Sequence, residues 1–145
     1  MNILMKRVKN EKLKMKEKCN LEKFLEQSGN NMKEFRGFIQ GPKDSAYSGF
    51  CFEILIRIQN EYPFKAPSVY FLTKIFHPNI HFETGEVCLD IIKNSWKPVF
   101  NLVILLDCLR DLLSHPNADS PLNCDAGNLS YILNKIYFTN NMINL

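Results

Sequence analysis

With 145 residues, 46% of them apolar and 23% charged, the chain can bury one sizeable core but not two, so we predict a single domain over residues 1–145. The net charge of +3 is concentrated between residues 6 and 18, where seven basic residues stand against two acidic ones; this favours a solvated helix face, with an acidic protein partner or a nucleic acid as alternatives. Five cysteines without C-x-x-C spacing, and no apolar run near the ~20 residues that span a bilayer, argue against a disulfide framework, structural zinc and membrane insertion, and predict a soluble protein of a reducing compartment.

The first half of the chain is predicted to form a helix followed by antiparallel strands. Residues 1–18 hold good helix formers without glycine or proline, which indicates a surface helix. Residues 35–40 are strand-like and residues 41–45 are typical of a turn. Apolar residues alternate over residues 50–58, which predicts the central strand of a meander, and residues 69–72 supply the next strand. The residues expected on the buried face of the central strand are Phe50, Phe52, Ile54, Ile56 and Ile58.

The second half begins with an irregular stretch. Residues 75–99 carry Pro78, Gly85 and Pro98 without a sustained period, and a stretch of this length in a compact domain is usually functional. Asn101 can cap a strongly amphipathic helix that ends at residues 115–116, and a weaker last helix is predicted over residues 125–138. This order of elements predicts the α+β class, with an antiparallel sheet covered on one face.

Short motifs in the irregular stretch carry a resemblance to the ubiquitin-conjugating enzymes. They are His77-Pro78-Asn79, the segment 85–90 around Cys88, and Trp96-Lys97-Pro98. Further pieces follow the family's order along almost the whole chain, at residues 41–42, 47–49, 62–67 and 119–122. Residues 77–82, 84–86, 119–125 and 127–128 are most similar to the peroxisomal branch of that family.

The resemblance implies both a fold and an activity. The fold would have an N-terminal helix, a four-stranded antiparallel sheet, a central helix and a shortened C-terminal helical region. The chain departs from the family pattern at a second place, because the usual proline-rich lead into the first strand is missing. The enzyme would accept ubiquitin from the activating enzyme as a thioester on Cys88 and pass it to a substrate lysine, usually with a RING-type or other ligase. No cofactor is implied, since ATP is used by the activating enzyme.

Three alternatives to this activity stay open. The chain could be a non-catalytic module of the same fold that binds ubiquitin or a ligase, or it could conjugate a ubiquitin-like modifier. It could also be a thiol hydrolase that pairs Cys88 with His77 or His81.

The catalytic role of Cys88 can also be argued from the residues themselves. Cys88 is the cysteine in the irregular stretch, whereas Cys51 and Cys108 fall in strand and helix patterns, where a thiol behaves as a small hydrophobe. The exchange of one thioester for another is nearly balanced in free energy, because both the attacking and the leaving group are thiolates. A thiol with the ordinary pKa of about 8.5 therefore suffices without a strong base beside it.

The resemblance implies roles in transfer for four further residues. Asn79 matches the family's asparagine that stabilises the oxyanion, a donor typically worth about 3 kcal/mol; alternatively it pins the adjacent loop. The attacking lysine, with a free pKa of about 10.4, must lose a proton. Ser120 falls where family members place the side chain that assists this step, and Asp119 and Asp90 are the other candidates.

The resemblance also implies structural and docking residues. His77, Pro78 and Trp96 would support the site. Phe64, Pro98 and Val99 would bind the ligase. Lys6 and Arg7 would bind the activating enzyme, which gives the basic segment a protein partner and no nucleic acid.

The likeness to the peroxisomal branch implies a location. We expect a cytoplasmic protein that a membrane-anchoring partner recruits to an organelle membrane such as the peroxisome, without direct insertion. The shortened C-terminal region bears on this expectation, because in that branch the final helices contribute to the anchoring contacts.

Overall fold

The structure combines a three-stranded sheet with three helices in the part of the chain that it describes. This computed structural model describes residues 3–19, 33–117, 119, 122–123 and 126–127. In chain order the elements are helix α1, Ile3–Cys19; strands β1, Glu34–Gln40, β2, Cys51–Arg57, and β3, Ser68–Phe71; and helices α2, Leu89–Ser95, and α3, Leu102–Ser114. The predicted α+β class is confirmed.

The strands form an antiparallel meander with β2 in the centre. Phe52, Ile54 and Ile56 alternate along β2 and are buried in the core, as the sequence pattern predicts. The prediction for Phe50 is wrong, because this side chain is 63% exposed. Phe50 still belongs to the turn before β2, where its amide donates to the carbonyl oxygen of Tyr47 at 3.1 Å.

The predicted fourth strand is absent from the residues that the structure describes. The segment before Cys88 pairs only through isolated bridges, Tyr70 with Glu86 and Ile80 with Val87. Gly85 interrupts this segment with a φ of 71°, a conformation that side chains other than glycine rarely adopt. With α2 beginning at Leu89, too few residues remain for a ladder.

Helix α3 forms the centre of the core and positions much of the site. The side chain of Asn101 accepts hydrogen bonds from the amides of Val103 and Ile104 at 2.9 and 3.0 Å, so the predicted cap is confirmed. The helix ends where the backbone amide of His115 donates to the carbonyl oxygen of Asp111 at 2.7 Å. The buried leucines at helical spacing are Leu102, Leu105, Leu106, Leu109, Leu112 and Leu113.

Helix α1 packs on α3 through a narrow apolar stripe. Val8 and Met15 are 4% and 1% exposed, whereas Lys6 and Lys9 point to solvent. The prediction of a surface helix is therefore confirmed. Within the described ranges, no helix has the length and apolar character that crossing a membrane requires.

Residues 75–99 are less irregular than predicted, because they contain α2. This helix has seven residues, which are too few for helical periodicity to stand out in a sequence. The predicted last helix over residues 125–138 lies outside the described residues, apart from residues 126 and 127, which are helical.

Candidate active site

Cys88 stands directly before α2 and beside Asn79. Its amide donates to the carbonyl oxygen of Asn79 at 2.9 Å, and the neighbouring Ile80–Val87 bridge holds the two segments side by side. Cys88 is buried, with 6% of its surface exposed, whereas Asn79 and His77 are at 0%. Cys88 is therefore more buried than its place in an irregular stretch of sequence suggests, and 6% of its surface remains exposed.

His77 is a buried, neutral imidazole with both nitrogens engaged. Its Nδ1 accepts a hydrogen bond from the amide of Asn79 at 3.0 Å, so Nε2 carries the proton and donates to the carbonyl oxygen of Leu112 at 3.0 Å. Burial lowers the pKa of His77 to about 4. Neither nitrogen faces Cys88 as a base, and the pairing of these two residues in a hydrolase has no geometric support here.

The other histidine candidate, His81, lies on an exposed turn. Its Nδ1 accepts from the amide of Thr84 at 3.2 Å, a local bond within the turn. In the described part of the chain, no group of three or more histidine, cysteine, aspartate or glutamate side chains is gathered as a metal site would require.

The side chain of Asn79 fastens a loop next to the cysteine. Its Nδ2 donates to the carbonyl oxygen of Asn117 at 2.6 Å, and its Oδ1 accepts from the amide of Asn117 at 2.9 Å. The carbonyl oxygen of Pro78 fastens the same loop further along, by accepting from the amides of Leu122 and Asn123 at 2.7 and 3.0 Å. In this conformation Asn79 has the loop-pinning geometry, and its donation to an oxyanion stays a prediction.

Three residues are expected to assist the attacking lysine, and this loop carries Asp119. Asp119 is exposed, and its amide donates to the side-chain oxygen of Asn117 at 3.0 Å. Ser120 lies outside the described residues. Asp90 belongs to α2, and its side chain likewise lies outside the described part.

The three residues expected to bind a ligase are all exposed and form what we call the ligase patch: Phe64, Pro98 and Val99. Phe64 and Val99 are 79% and 77% exposed. Trp96 is half-buried beneath the patch, and its indole nitrogen donates to the carbonyl oxygen of Pro63 at 2.7 Å. Trp96 therefore ties the loop before Phe64 to the loop that carries the other two patch residues.

The two α1 residues expected to bind the activating enzyme differ in their surroundings. Lys6 is exposed. Arg7 has 33% of its side chain exposed and forms an ion pair with Glu11, with Nε 2.7 Å from Oε1. Its Nη2 donates to the carbonyl oxygens of Pro98 and Phe100, at 3.0 and 2.8 Å.

Sequence reasoning missed Glu11, which joins three parts of the fold. Glu11 is 7% exposed. Besides Arg7, it accepts hydrogen bonds from the hydroxyl of Tyr62 and from the amide of Leu102, which begins α3. The available signal was its spacing of four residues from Arg7, which places the two on one helix face.

Sequence reasoning also missed a groove between α2 and α3. Its volume is about 400 Å³, and it runs from Ile92 and Trp96 to Asn117 with Asp107 and Cys108 along α3. Partial burial of the otherwise exposed Cys108 raises the pKa of its thiol, with smaller contributions from Asp107 and Asp111. The groove therefore begins on the helix that follows Cys88 and ends at the loop held by Asn79.

This geometry can be compared with known proteins. The family model described as ubiquitin-conjugating enzyme matches residues 4–142, and the chain belongs to that family. Its relatives include Protein PEROXIN-4 of Arabidopsis thaliana, 48% identical over 99 residues, which are 68% of this chain and 63% of the relative. They also include ubiquitin-conjugating enzyme E2 pex4 of Dictyostelium discoideum, 53% identical over 91 residues, which are 63% of this chain and 61% of the relative. Both the family and the likeness to the peroxisomal branch are confirmed.

Solved structures bear out the fold. The H. polymorpha ubiquitin-conjugating enzyme Pex4p, solved in complex with the soluble domain of Pex22p, has a TM-score of 0.80 at 24% identity, over 96% of this chain and 93% of that one. A putative ubiquitin-conjugating enzyme of Plasmodium yoelii has a TM-score of 0.78 at 32% identity, over 89% and 84% of the two chains. The chain spans about three fifths of the length of the two curated relatives that it matches.

Proposed function

We propose that this chain accepts ubiquitin as a thioester on Cys88 and transfers it to the amine of a substrate lysine. The observation that carries the proposal is the placement of Cys88 against the His77-Pro78-Asn79 segment, with its amide bonded to the carbonyl oxygen of Asn79. This arrangement stands in a chain that belongs to the ubiquitin-conjugating enzyme family.

Loading is an exchange of one thioester for another. The Cys88 thiolate attacks the carbonyl carbon that links ubiquitin to the activating enzyme, a new carbon–sulfur bond forms, and the activating enzyme's sulfur leaves as a thiolate. Because both sulfurs are comparable leaving groups, the step needs no dedicated base. A site in which both nitrogens of His77 are engaged elsewhere is compatible with this chemistry.

Transfer replaces the thioester by an amide. The lysine amine attacks the carbonyl carbon, an oxyanion forms, and the Cys88 thiolate leaves. The amine gives up a proton at the rim of the site, and Asp119, Ser120 and Asp90 are the candidates to assist this loss. We propose that Asn79 holds the loop with Asp119 beside Cys88. Its amide stabilises the oxyanion by exchanging its bond to the Asn117 carbonyl for one to the oxyanion.

The partners follow from the exposed residues. The ligase patch is exposed and apolar, and it rests on Trp96, which suits docking of a RING-type or other ligase. Lys6 and the exposed third of Arg7 give α1 a basic surface for the activating enzyme. We propose that His77, Pro78 and Trp96 support the site structurally, as the family resemblance implies.

We further propose that a partner recruits this chain to the peroxisomal membrane. The support is the likeness to Protein PEROXIN-4 and to E2 pex4, and the resemblance in fold to Pex4p, which was solved with the soluble domain of Pex22p. Co-purification of a membrane protein with the tagged chain, together with peroxisomal fluorescence that is lost when that protein is deleted, would support recruitment. Diffuse fluorescence unaffected by the deletion would overturn it.

A charging gel tests the proposed activity. Incubation with activating enzyme, ATP and ubiquitin should give a band that a thiol reductant removes and that Cys88→Ala lacks, while Cys88→Ser should give a reductant-resistant ester. Cys108→Ala is the matched control, since its thiol is exposed on α3, and it should charge normally.

Other outcomes of the gel identify the alternatives. Charging by a ubiquitin-like protein alone would change only the modifier. Binding of ubiquitin without charging would indicate a non-catalytic module, and cleavage of an isopeptide without ATP would indicate a hydrolase.

A further inference from the structure

We propose that Arg7 is a positioning residue of the ligase patch. Its guanidinium holds the loop of Pro98 and Phe100 against Tyr62, and this arrangement presents Phe64 and Val99 to a ligase. The inference rests on the proposed role of the patch and goes beyond it, because it gives Arg7 a task inside the fold in addition to its expected contact with the activating enzyme.

The guanidinium joins segments that are far apart in the chain. Arg7 lies 91 residues before Pro98 and 93 before Phe100, and Nη2 donates to both carbonyl oxygens at 3.0 and 2.8 Å. Its Nε donates to Oε1 of Glu11 at 2.7 Å. The planar guanidinium spreads its donors over separate nitrogens and so bonds a carboxylate and two carbonyl oxygens at fixed positions, whereas a lysine ammonium offers its three donors from a single point.

The same side chain reaches the other half of the patch. The guanidinium carbon lies 5.4 Å from the ring centre of Tyr62, two residues before Phe64. The ring of Trp96 fills the space between the two loops, with centroid distances of 5.8 Å to Tyr62 and 6.0 Å to Phe100. Arg7 therefore closes a ring of contacts beneath the patch, which Tyr62, Trp96 and the loop of Pro98 and Phe100 complete.

Removal of Arg7 should loosen one loop and leave the rest of the fold in place. Glu11 keeps its bonds to Tyr62 and to the amide of Leu102 in the absence of Arg7. The carbonyl oxygens of Pro98 and Phe100 lose the donor that ties them to α1. A change confined to this loop should weaken docking of a ligase more than it changes the chemistry at Cys88.

A fluorescence experiment tests the local part of the proposal. Trp96 is the one tryptophan of the chain, so its emission reports on the ring of contacts directly. We expect Arg7→Ala to shift the emission to longer wavelength and to raise acrylamide quenching about twofold. Lys9→Ala removes the same charge from an exposed position of the same helix, and it should match the parent chain.

Single-turnover discharge tests the functional part. The parent chain and each variant are charged, purified as thioesters, and discharged to free lysine with increasing amounts of the isolated RING domain of a ubiquitin ligase that accelerates the parent. For Arg7→Ala we expect the RING concentration at half-maximal rate to rise about fivefold or more, with a maximal rate within about twofold of the parent. Arg7→Lys keeps a positive charge but lacks the planar guanidinium, and its half-maximal RING concentration should rise about threefold or more.

The results separate this inference from the proposed function. If the parent chain does not charge, the proposed function fails, while the fluorescence comparison still tests the position of Arg7. If Arg7→Ala equals Lys9→Ala in quenching and in half-maximal RING concentration, Arg7 does not position the patch. A loss confined to the maximal rate would also overturn the inference. Thermal unfolding of each variant checks that it is folded at the assay temperature. If Arg7→Ala is unfolded there, Arg7→Lys takes its place in the comparison.

Discussion

Replacement of Asn79 by alanine tests the central residue of the site, because the side chain has one role visible in the structure and a second, donation to the oxyanion, that we propose. Asn79→Ala removes the two bonds to Asn117, at 2.6 and 2.9 Å, from a side chain with no exposed surface. Each bond contributes about 1 kcal/mol. Asn117 itself is exposed, so water can satisfy its backbone groups in the variant. We therefore expect a loss of about 2 kcal/mol, which corresponds to a decrease in Tm of about 6 °C.

The same substitution should affect transfer more than stability. An oxyanion donor is worth about 3 kcal/mol of barrier, so discharge of the Cys88 thioester to free lysine should slow on the order of 100-fold. The measurement is single-turnover discharge of purified thioester, followed on gels over a range of lysine concentrations, with thermal unfolding of the same samples.

Asn117→Ala separates the two roles of Asn79. It removes the side-chain oxygen that accepts the amide of Asp119 at 3.0 Å, which loosens the loop but leaves the amide of Asn79 intact. If it slows discharge as much as Asn79→Ala does, placement of the loop accounts for the rate. If Asn79→Ala lowers Tm but discharges like the parent, the oxyanion role is refuted.

Three further predictions concern stability and docking. Burial lowers the pKa of His77 to about 4 in the folded state, against 6.5 in the unfolded state, so the unfolded chain binds the extra proton first as the pH falls. The free energy of unfolding should therefore decrease by about 2 kcal/mol between pH 7 and pH 5 because of His77. Urea unfolding of His77→Gln at the two pH values should lack this decrease. Gly85→Ala should cost about 2 kcal/mol or more, because its Cβ would lie 1.9 Å from the carbonyl oxygen of Phe71, whereas Gly49→Ala, with φ of 83° and open space, should cost about 1 kcal/mol in the same unfolding assay; equal costs would contradict the steric argument. Phe64→Ala should change stability by less than about 0.5 kcal/mol, since the ring is 79% exposed, but should lower ligase-stimulated discharge about tenfold; an unchanged response to ligase would remove Phe64 from the patch.

Elements with a local physical cause could be predicted from the sequence. The leucines of α3 recur with the helical period, and Asn101 caps it through bonds that span only two and three residues. The buried face of β2 follows from strict alternation. Phe50 continues that alternation but lies outside the strand, because the turn bond from its amide to Tyr47 prevails over the pattern. Helix α2 was missed because seven residues contain too few turns for a period to appear.

The residues of the candidate site could likewise be predicted where they lie in local motifs, but their long-range partners could not. His77, Asn79 and Cys88 could be predicted because they lie in short motifs, and each motif is a local piece of chain. The partners of those residues could not, because the bonds from His77 to Leu112 and from Asn79 to Asn117 span 35 and 38 residues. Such bonds depend on how α3 and the loop after it pack against the sheet, which no local pattern specifies.

Arg7 shows why a motif can indicate a residue and still leave its task undetermined. A charge run such as the one on α1 is usually a solvated helix face, and the contact of Arg7 with the activating enzyme is what the family resemblance implies. The fold brings two carbonyl oxygens and a carboxylate within reach of the one guanidinium, and the ion pair offsets part of the desolvation of the buried Glu11 carboxylate, which Tyr62 and Leu102 also bond. Because these bonds also fix the loop of the ligase patch, the charge of Arg7 serves the fold first. In the proposed roles of α1 and the ligase patch, the two surfaces share Arg7 but not a partner. Substitutions at Arg7 should therefore affect both surfaces, whereas substitutions at Lys6 should affect only the surface on α1.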